Sequence, residues 1–388
     1  MKRSDFTRRE FLRKSALSAS ALALGAGGRA RAAESKDKEE IVLGFVGIGG
    51  RGGRLLRYVT RMEGVRVGAV CDLLSDRVAN AQKVAEKFNP KGYQDFREML
   101  EKEKLDGIIV ATEVGNHAKV VVPVLEAGFH CFSEKPMETT VEKVDAIVKA
   151  ARKAKGIYQV GFQRRHNDSF IAAMKRIHSG ELGKALYLQG HWHFATGFSR
   201  WVIDVEIGGC RLVEQACHHM DVMAWVMKDQ HPTECVGMAA ITTTYPNPPR
   251  LISEDHSALV FRFPGDVVFS YTHMSFAPEK WTGEKLWVYG HKWGIDLSKG
   301  ELYTADGKTE QLTEPSDFYR GEVEQLAAFV DNLRKGGKEK VLSNVESARV
   351  ATLMAIMGRT AFRNLEKNTF EPRVIRWEDL RSTTEPGA

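Results

Sequence analysis

Cysteine is scarce in this chain. The five thiols, Cys71, Cys131, Cys210, Cys217 and Cys235, are odd in number, and neither they nor the histidines recur at metal-ligand spacing. A disulfide framework is excluded on that count, and small buried hydrophobes are the expected use of the thiols. No apolar run is long enough to span a bilayer, so stable membrane insertion is not expected. Net charge is also missing from most of the sequence. The formal +6 of the whole chain is already reached within residues 1–33, where eight basic side chains outweigh Asp5 and Glu10. The remainder is near neutral, which removes the electrostatic basis for a nucleic-acid partner.

What is present is ordered by position. Residues 1–33 have a basic start, the apolar run "ALSASALALGAG" from Ala16, and the small-residue stretch Ala30–Ala33. That is the anatomy of a secretory signal. Arg8 and Arg9, followed by Phe11 and Leu12, match the twin-arginine pattern, so export by that machinery to the periplasm is expected. From Ile41, short apolar runs alternate with helical periodicity. Strands are expected at 41–47, 65–72, 105–112, 130–136 and 157–162, and helices at 50–62, 75–88, 116–128 and 141–156. Such alternation predicts a parallel sheet wrapped on both faces. Between the first strand and first helix stands Gly47-x-Gly49-Gly50-x-Gly52. These glycines allow a tight turn and close approach to a pyrophosphate. Asp72 ends the second strand, where a carboxylate accepts from adenosine ribose hydroxyls and repels a 2′-phosphate. NAD is thus expected over NADP, a preference that Arg77 on the next helix moderates.

The second half turns to strands, at 184–194, 234–244, 256–263, 267–275 and 284–290, with a hairpin signal at Pro264-Gly265-Asp266. A largely antiparallel sheet is expected, backed by a helix over 209–228 and by later helices at about 318–335 and 343–364. On the first of these, Glu214, His218 and Asp221 stand at i, i+4 and i+7, one face of a regular helix. A carboxylate–imidazole–carboxylate stripe on an otherwise apolar helix is costly unless it lines a cavity. A zinc reading of His218, His219 and Asp221 with His191 and His193 lacks a ligand template, and no metal is expected.

Glu134-Lys135-Pro136 at a strand end behind the glycine fingerprint, together with "GFQRRHN" (161–167) and "GGCRLVEQACHHMD" (208–221), resembles the glucose–fructose oxidoreductase/inositol dehydrogenase (Gfo/Idh/MocA) family. The resemblance implies a Rossmann domain over about 38–160. It implies a C-terminal α/β domain with a large, mostly antiparallel open sheet over 161–376, then a tail at 377–388. It implies that Lys135 lies beside the nicotinamide and bonds the reacting hydroxyl, and that His218 is the proton acceptor. Glu214 takes the position of the family's aspartate, and Cys210 that of its third glycine. Thr112, His117 and Glu134 are implied cofactor contacts, although Glu113 and Val114 replace the usual Pro-Asn. Arg164, Arg165, Trp192 and Trp201 are candidate substrate grips, the arginines for uronate or phosphate oxygens. The outer sheet face implies a homodimer or homotetramer.

The expected activity is oxidation of a sugar, cyclitol or polyol hydroxyl by NAD. Export adds a demand, because no NAD pool exists outside and the coenzyme must stay tightly bound and be recycled in place. Ping-pong oxidoreduction meets it. So does a redox-neutral glycosidase or lyase working through a keto-sugar. A dinucleotide-retaining binding protein is the non-catalytic alternative.

Overall fold

In the computed structural model, residues 40–195, 199–314 and 320–380 are described. The expected signal segment therefore lies outside the described residues, as does most of the expected tail. The first sheet is parallel throughout, in the order β3-β2-β1-β4-β5-β6, from β1 (Ile41–Val46), β2 (Val65–Cys71), β3 (Lys91–Tyr93), β4 (Gly107–Val110), β5 (His130–Ser133) and β6 (Tyr158–Val160). Its strands are near-continuous apolar runs because both faces are covered. Helices α1 (Gly50–Val59), α2 (Ser75–Val84), α3 (Phe96–Lys102), α4 (His117–Glu126) and α5 (Val141–Lys153) supply that cover. The sequence reading missed β3 and α3. β3 has only three residues, two of them exposed, so it carries no apolar signal.

Strand order reverses between β1 and β4, and the crevice beyond their carboxyl ends is the ligand position of such sheets. After α6 (Asp168–His178) the chain builds a second sheet of nine strands. Its order is β14-β13-β12-β11-β7-β10-β9-β8, closed at one edge by Ile375–Arg376. The strands are β7 (Tyr187–His193), β8 (Glu234–Ala240), β9 (His256–Phe263), β10 (Val267–Met274), β11 (Gly283–Tyr289), β12 (Trp293–Asp296), β13 (Glu301–Thr304) and β14 (Thr309–Gln311). Only the β7–β10 pairing is parallel, so the sheet is mixed and mostly antiparallel.

One face of this sheet packs on α7 (Cys217–Val226) and on α9 (Val345–Phe362). The strands alternate as such one-sided packing requires, with Leu259, Phe261 and Phe263 inward on β9 and Val260 outward. Hollows of about 720 and 350 Å³ lie on the opposite, outer face. Helix α8 (Glu322–Arg334) returns to the first sheet, burying Leu326, Phe329, Val330 and Leu333 against Leu43 and Phe45 of β1 and Phe132 of β5. It thereby brings Glu322 to the start of α1. No helix among the described residues is long and apolar enough to cross a membrane.

Candidate active site

The glycine loop is built around two glycines that tolerate no side chain. A Cβ on Gly47 (φ +84°) would lie 2.7 Å from the Ala111 and Thr112 backbone, and one on Gly52 would lie 2.0 Å from the Gly47 carbonyl. Gly50 faces open space instead, and a Cβ on Gly49 would make only ordinary contact with the Arg77 guanidinium, at 3.6 Å. Helix α1 has neither a side-chain cap nor an acidic residue in its first turn, so its N-terminal N–H groups are available to an anion. Asp72 closes the loop from the second strand. Its Oδ2 accepts from Ile48 N at 2.8 Å and its Oδ1 from Leu74 N at 3.1 Å, with the Arg77 guanidinium 3.6 Å away. The cradle fits a dinucleotide.

The turn after β5 is tied to this cradle by Arg51. Its Nε donates to Glu134 at 2.7 Å, and its Nη1 donates to Glu322, which also accepts from Tyr58 at 2.9 Å. Burial opposes the Arg51 charge, but the two carboxylates outweigh it and hold the guanidinium above its ordinary value. Glu134 is therefore an anchor for the turn. His117, expected at the cofactor, is also a brace. It is fully buried, with Nδ1 2.8 Å from the Pro136 carbonyl and Nε2 3.2 Å from the Thr112 carbonyl, so both ring nitrogens face backbone. Thr112 joins the cradle through its backbone, beneath Gly47.

Lys135 extends from that turn to Glu214, just ahead of α7. Its Nζ donates to the Glu214 carbonyl at 2.7 Å and to Glu214 Oε1 at 2.8 Å. Burial works against the ammonium, yet the Glu214 carboxylate offsets it and raises the group above its usual value. Lys135 is a cation at any working pH. Glu214 belongs to a π turn, Leu212–Ala216, rather than to the regular helix expected from the sequence. π turns recur at functional sites because the extra residue re-aims side chains. Just before it, Cys210 adopts φ 115°, the left-handed region that favours glycine and the reason glycine suits that position.

His218 follows on the first turn of α7, wedged between Phe162 (ring centroids 6.1 Å) and Trp192 (6.2 Å). Nδ1 is fully buried and has no hydrogen-bond partner. Burial, then the fields of Lys135, Arg164 and Arg51, pushes the imidazole well below the ordinary histidine range. It is neutral and can accept a proton.

The remaining candidates divide. Trp192 packs on His218, whereas Trp201 lies on the short helix Arg200–Ile203 and is exposed. Asp221 leaves the stripe. It is fully buried and receives Arg165 Nε at 2.8 and 3.1 Å, while Arg165 Nη2 donates to Asp229 at 2.5 Å. Arg165 is thus no substrate grip, because it is spent holding α7 from below. Arg165→Met is expected to destabilise the fold by about 3–5 kcal/mol, since it leaves the buried Asp221 carboxyl, which burial pushes up to about 7 even beside Arg165, without its ion-pair and hydrogen-bond partner. Urea denaturation checks this, and the double change with Asp221→Leu should recover most of the loss. Arg164 is equally buried. It pairs with Glu284 on β11, a residue the sequence reading did not single out. His191 and His193 point to the outer sheet face, opposite to Trp192, and so cannot meet His218. Among the described residues no cluster is spaced to hold a metal.

Two family models match this arrangement in succession. Residues 41–162 match the Gfo/Idh/MocA oxidoreductase family's NAD-binding Rossmann fold, and residues 170–296 match a C-terminal domain of the same family. The chain belongs to the Gfo/Idh/MocA family. Among its relatives, inositol 2-dehydrogenase of Salmonella typhimurium is 29% identical over 223 residues, 56% of this chain and 64% of that enzyme. The scyllo-inositol 2-dehydrogenase (NAD(+)) of Bacillus subtilis is 32% identical over 133 residues, 34% of this chain and 38% of that one. The chain thus spans less than two thirds of the length of these curated relatives. The crystal structure of myo-inositol 2-dehydrogenase from Lactobacillus plantarum superposes with a TM-score of 0.68 at 18% identity, over 87% of this chain and 99% of that one. At that identity the likeness speaks for the fold.

Proposed function

We propose that this protein is an NAD-dependent oxidoreductase acting on a hydroxyl of a polyol, cyclitol or sugar, with the coenzyme held tightly and recycled in place. The observation that carries the reading is the pairing of a charged Lys135 with a neutral His218 at the crevice where the glycine loop ends. The Gly47–Gly52 loop, Asp72 and the backbone at Thr112 would hold the dinucleotide, which supplies a hydride acceptor when bound. Lys135 has three N–H donors and spends two on Glu214, which leaves one for the substrate oxygen. That proton stabilises negative charge as the hydroxyl becomes an alkoxide. His218 takes the hydroxyl proton, and its low affinity for protons keeps it ready to do so. Glu214 orients Lys135 from the π turn.

Export through the twin-arginine machinery belongs to the same proposal and rests on Arg8, Arg9 and the apolar run behind them. Assembly as a homodimer or homotetramer is supported by the apolar outer sheet face, where Val236, Met238 and Val260 are exposed. The test is to purify the mature protein without added coenzyme, denature it and identify any released dinucleotide by mass. NADH absorbance is then followed while polyols and sugars are added. Stoichiometric NAD, reduced by one compound and reoxidised by another, supports the proposal. Bound NAD with glycoside cleavage and no lasting absorbance change would transfer it to the redox-neutral chemistry. Absence of both bound dinucleotide and turnover would refute it.

A further inference from the structure

Arg51 is the second residue of α1, inside the glycine loop, yet its side chain leaves that loop to meet two distant elements. Its Nε holds Glu134, the residue before Lys135, and its Nη1 holds Glu322 at the start of α8. Both carboxylate side chains are nearly buried. Glu322 is itself fixed from both sides. It accepts from Tyr58 at 2.9 Å and from Arg54 at 3.4 Å, both on α1. Ahead of it, Gly321 (φ +106°) lies so close to the Gln163 carbonyl that a Cβ would stand 2.2 Å away. The start of α8 is thereby pinned to the turn at 163–166, which carries Arg164.

Glu134 carries the contact on to the reacting groups. Its Oε2 accepts from Lys135 N at 3.3 Å, and the close approach of Gly161, where a Cβ would lie 3.1 Å from that oxygen, leaves the carboxylate little room. The Glu134 charge adds to that of Glu214 in keeping Lys135 a cation, and the Arg51 charge helps keep His218 neutral. The other charged and titratable groups around the imidazole come in from elsewhere. They are Lys135 paired with Glu214, Arg164 paired with Glu284, and His219 on α7 itself. Only Arg51 belongs to the loop that would take the coenzyme.

We propose that Arg51 is a positioning residue whose fork, held by Glu322, fixes the Glu134–Lys135 turn to the glycine loop, so that a dinucleotide ordering the loop also sets Lys135. Its charge has a second and separable effect, through the field at His218. Lysine at this position would keep the charge but, lacking a planar fork, could not hold both carboxylates in this geometry. Methionine would remove both effects. The inference rests on the oxidoreductase reading and adds to it a residue that joins coenzyme binding to the acid–base pair.

The experiment uses the full chain with NADH as the probe. Hydrogen exchange is followed in the segment 133–138 with and without NADH, and NADH affinity is measured by fluorescence. The His218 ring is titrated by NMR after labelling of histidine Cε1, its signal being the one that His218→Asn removes. In the wild type NADH should slow exchange of the segment by about tenfold. In Arg51→Lys and Arg51→Met that protection should drop below about twofold, and by linkage NADH affinity should fall by no more than about tenfold. His218 should titrate as in the wild type in Arg51→Lys. In Arg51→Met it should titrate at higher pH, because loss of a nearby cation makes protonation easier. Glu322→Gln keeps Arg51 and its contact with Glu134, and should leave about threefold protection, so the coupling is still read if the Arg51 variants fail to fold. No protection of the segment by NADH in the wild type would overturn the coupling. Full protection in a folded Arg51→Lys protein would overturn the role of the fork, and full protection in Glu322→Gln that of Glu322. An unmoved His218 titration in Arg51→Met would overturn the effect of the charge. Failure of the wild type to bind NADH would instead bring down the oxidoreductase reading, and this inference with it.

Discussion

Replacing Lys135 with methionine is expected to lower kcat about a thousandfold while leaving NADH affinity nearly unchanged. The ammonium touches Glu214 and lies outside the glycine cradle, so its removal should spare the dinucleotide site. What is lost is the donor that meets the alkoxide as charge develops, an interaction made in the transition state and scarcely before it. Steady-state kinetics should show the deficit in kcat and in kcat/KM alike. A variant that lost affinity for NADH to the same degree would place Lys135 in coenzyme binding instead. Methionine also leaves the Glu214 carboxylate without its cation. Glu214 is not fully buried, with 14% of its side chain accessible, so water can compensate and the fold should survive. A melting temperature close to that of the wild type would separate the chemical effect from a structural one.

Much of this site was legible in local sequence, and the reason is geometric. The glycine loop, Asp72 and Lys135 all lie at carboxyl ends of parallel strands, which buried apolar runs such as Ile41–Val46 make visible. His218 was visible as a polar residue on an apolar helix. The misreadings concern partners far apart in the chain. Arg165 looks like a free cation until the fold brings Asp221 and Asp229 to it across 56 and 64 residues. Glu284 sits 120 residues from Arg164, on an ordinary sheet strand, and only the β7–β11 register reveals it. The π turn was illegible for a different reason. Its sequence has a normal helical period, and the left-handed conformation of Cys210, two residues ahead of it, leaves no mark in the apolar pattern.

The pH dependence should separate His218 from the other groups that titrate. In the proposed mechanism, turnover requires the imidazole neutral and Lys135 protonated. Burial and three nearby cations hold His218 well below the ordinary histidine range, while Glu214 raises Lys135 above the ordinary lysine range. Each shift moves its limb outwards. On the acid side activity is lost only when pH falls through the lowered His218 value, and on the basic side only when it rises through the raised Lys135 value. The kcat/KM profile is therefore expected to be flat across neutrality, with no inflection near pH 6.5, the unperturbed histidine value. His218→Asn removes the acceptor and should cost about a hundred- to ten-thousandfold in kcat. The residual rate should rise with pH, because hydroxide or water must then take the proton. Retention of the wild-type profile by His218→Asn would assign the base to another group. An inflection near pH 6.5 in the wild type would mean that the imidazole is far better solvated than its setting between Phe162 and Trp192 allows.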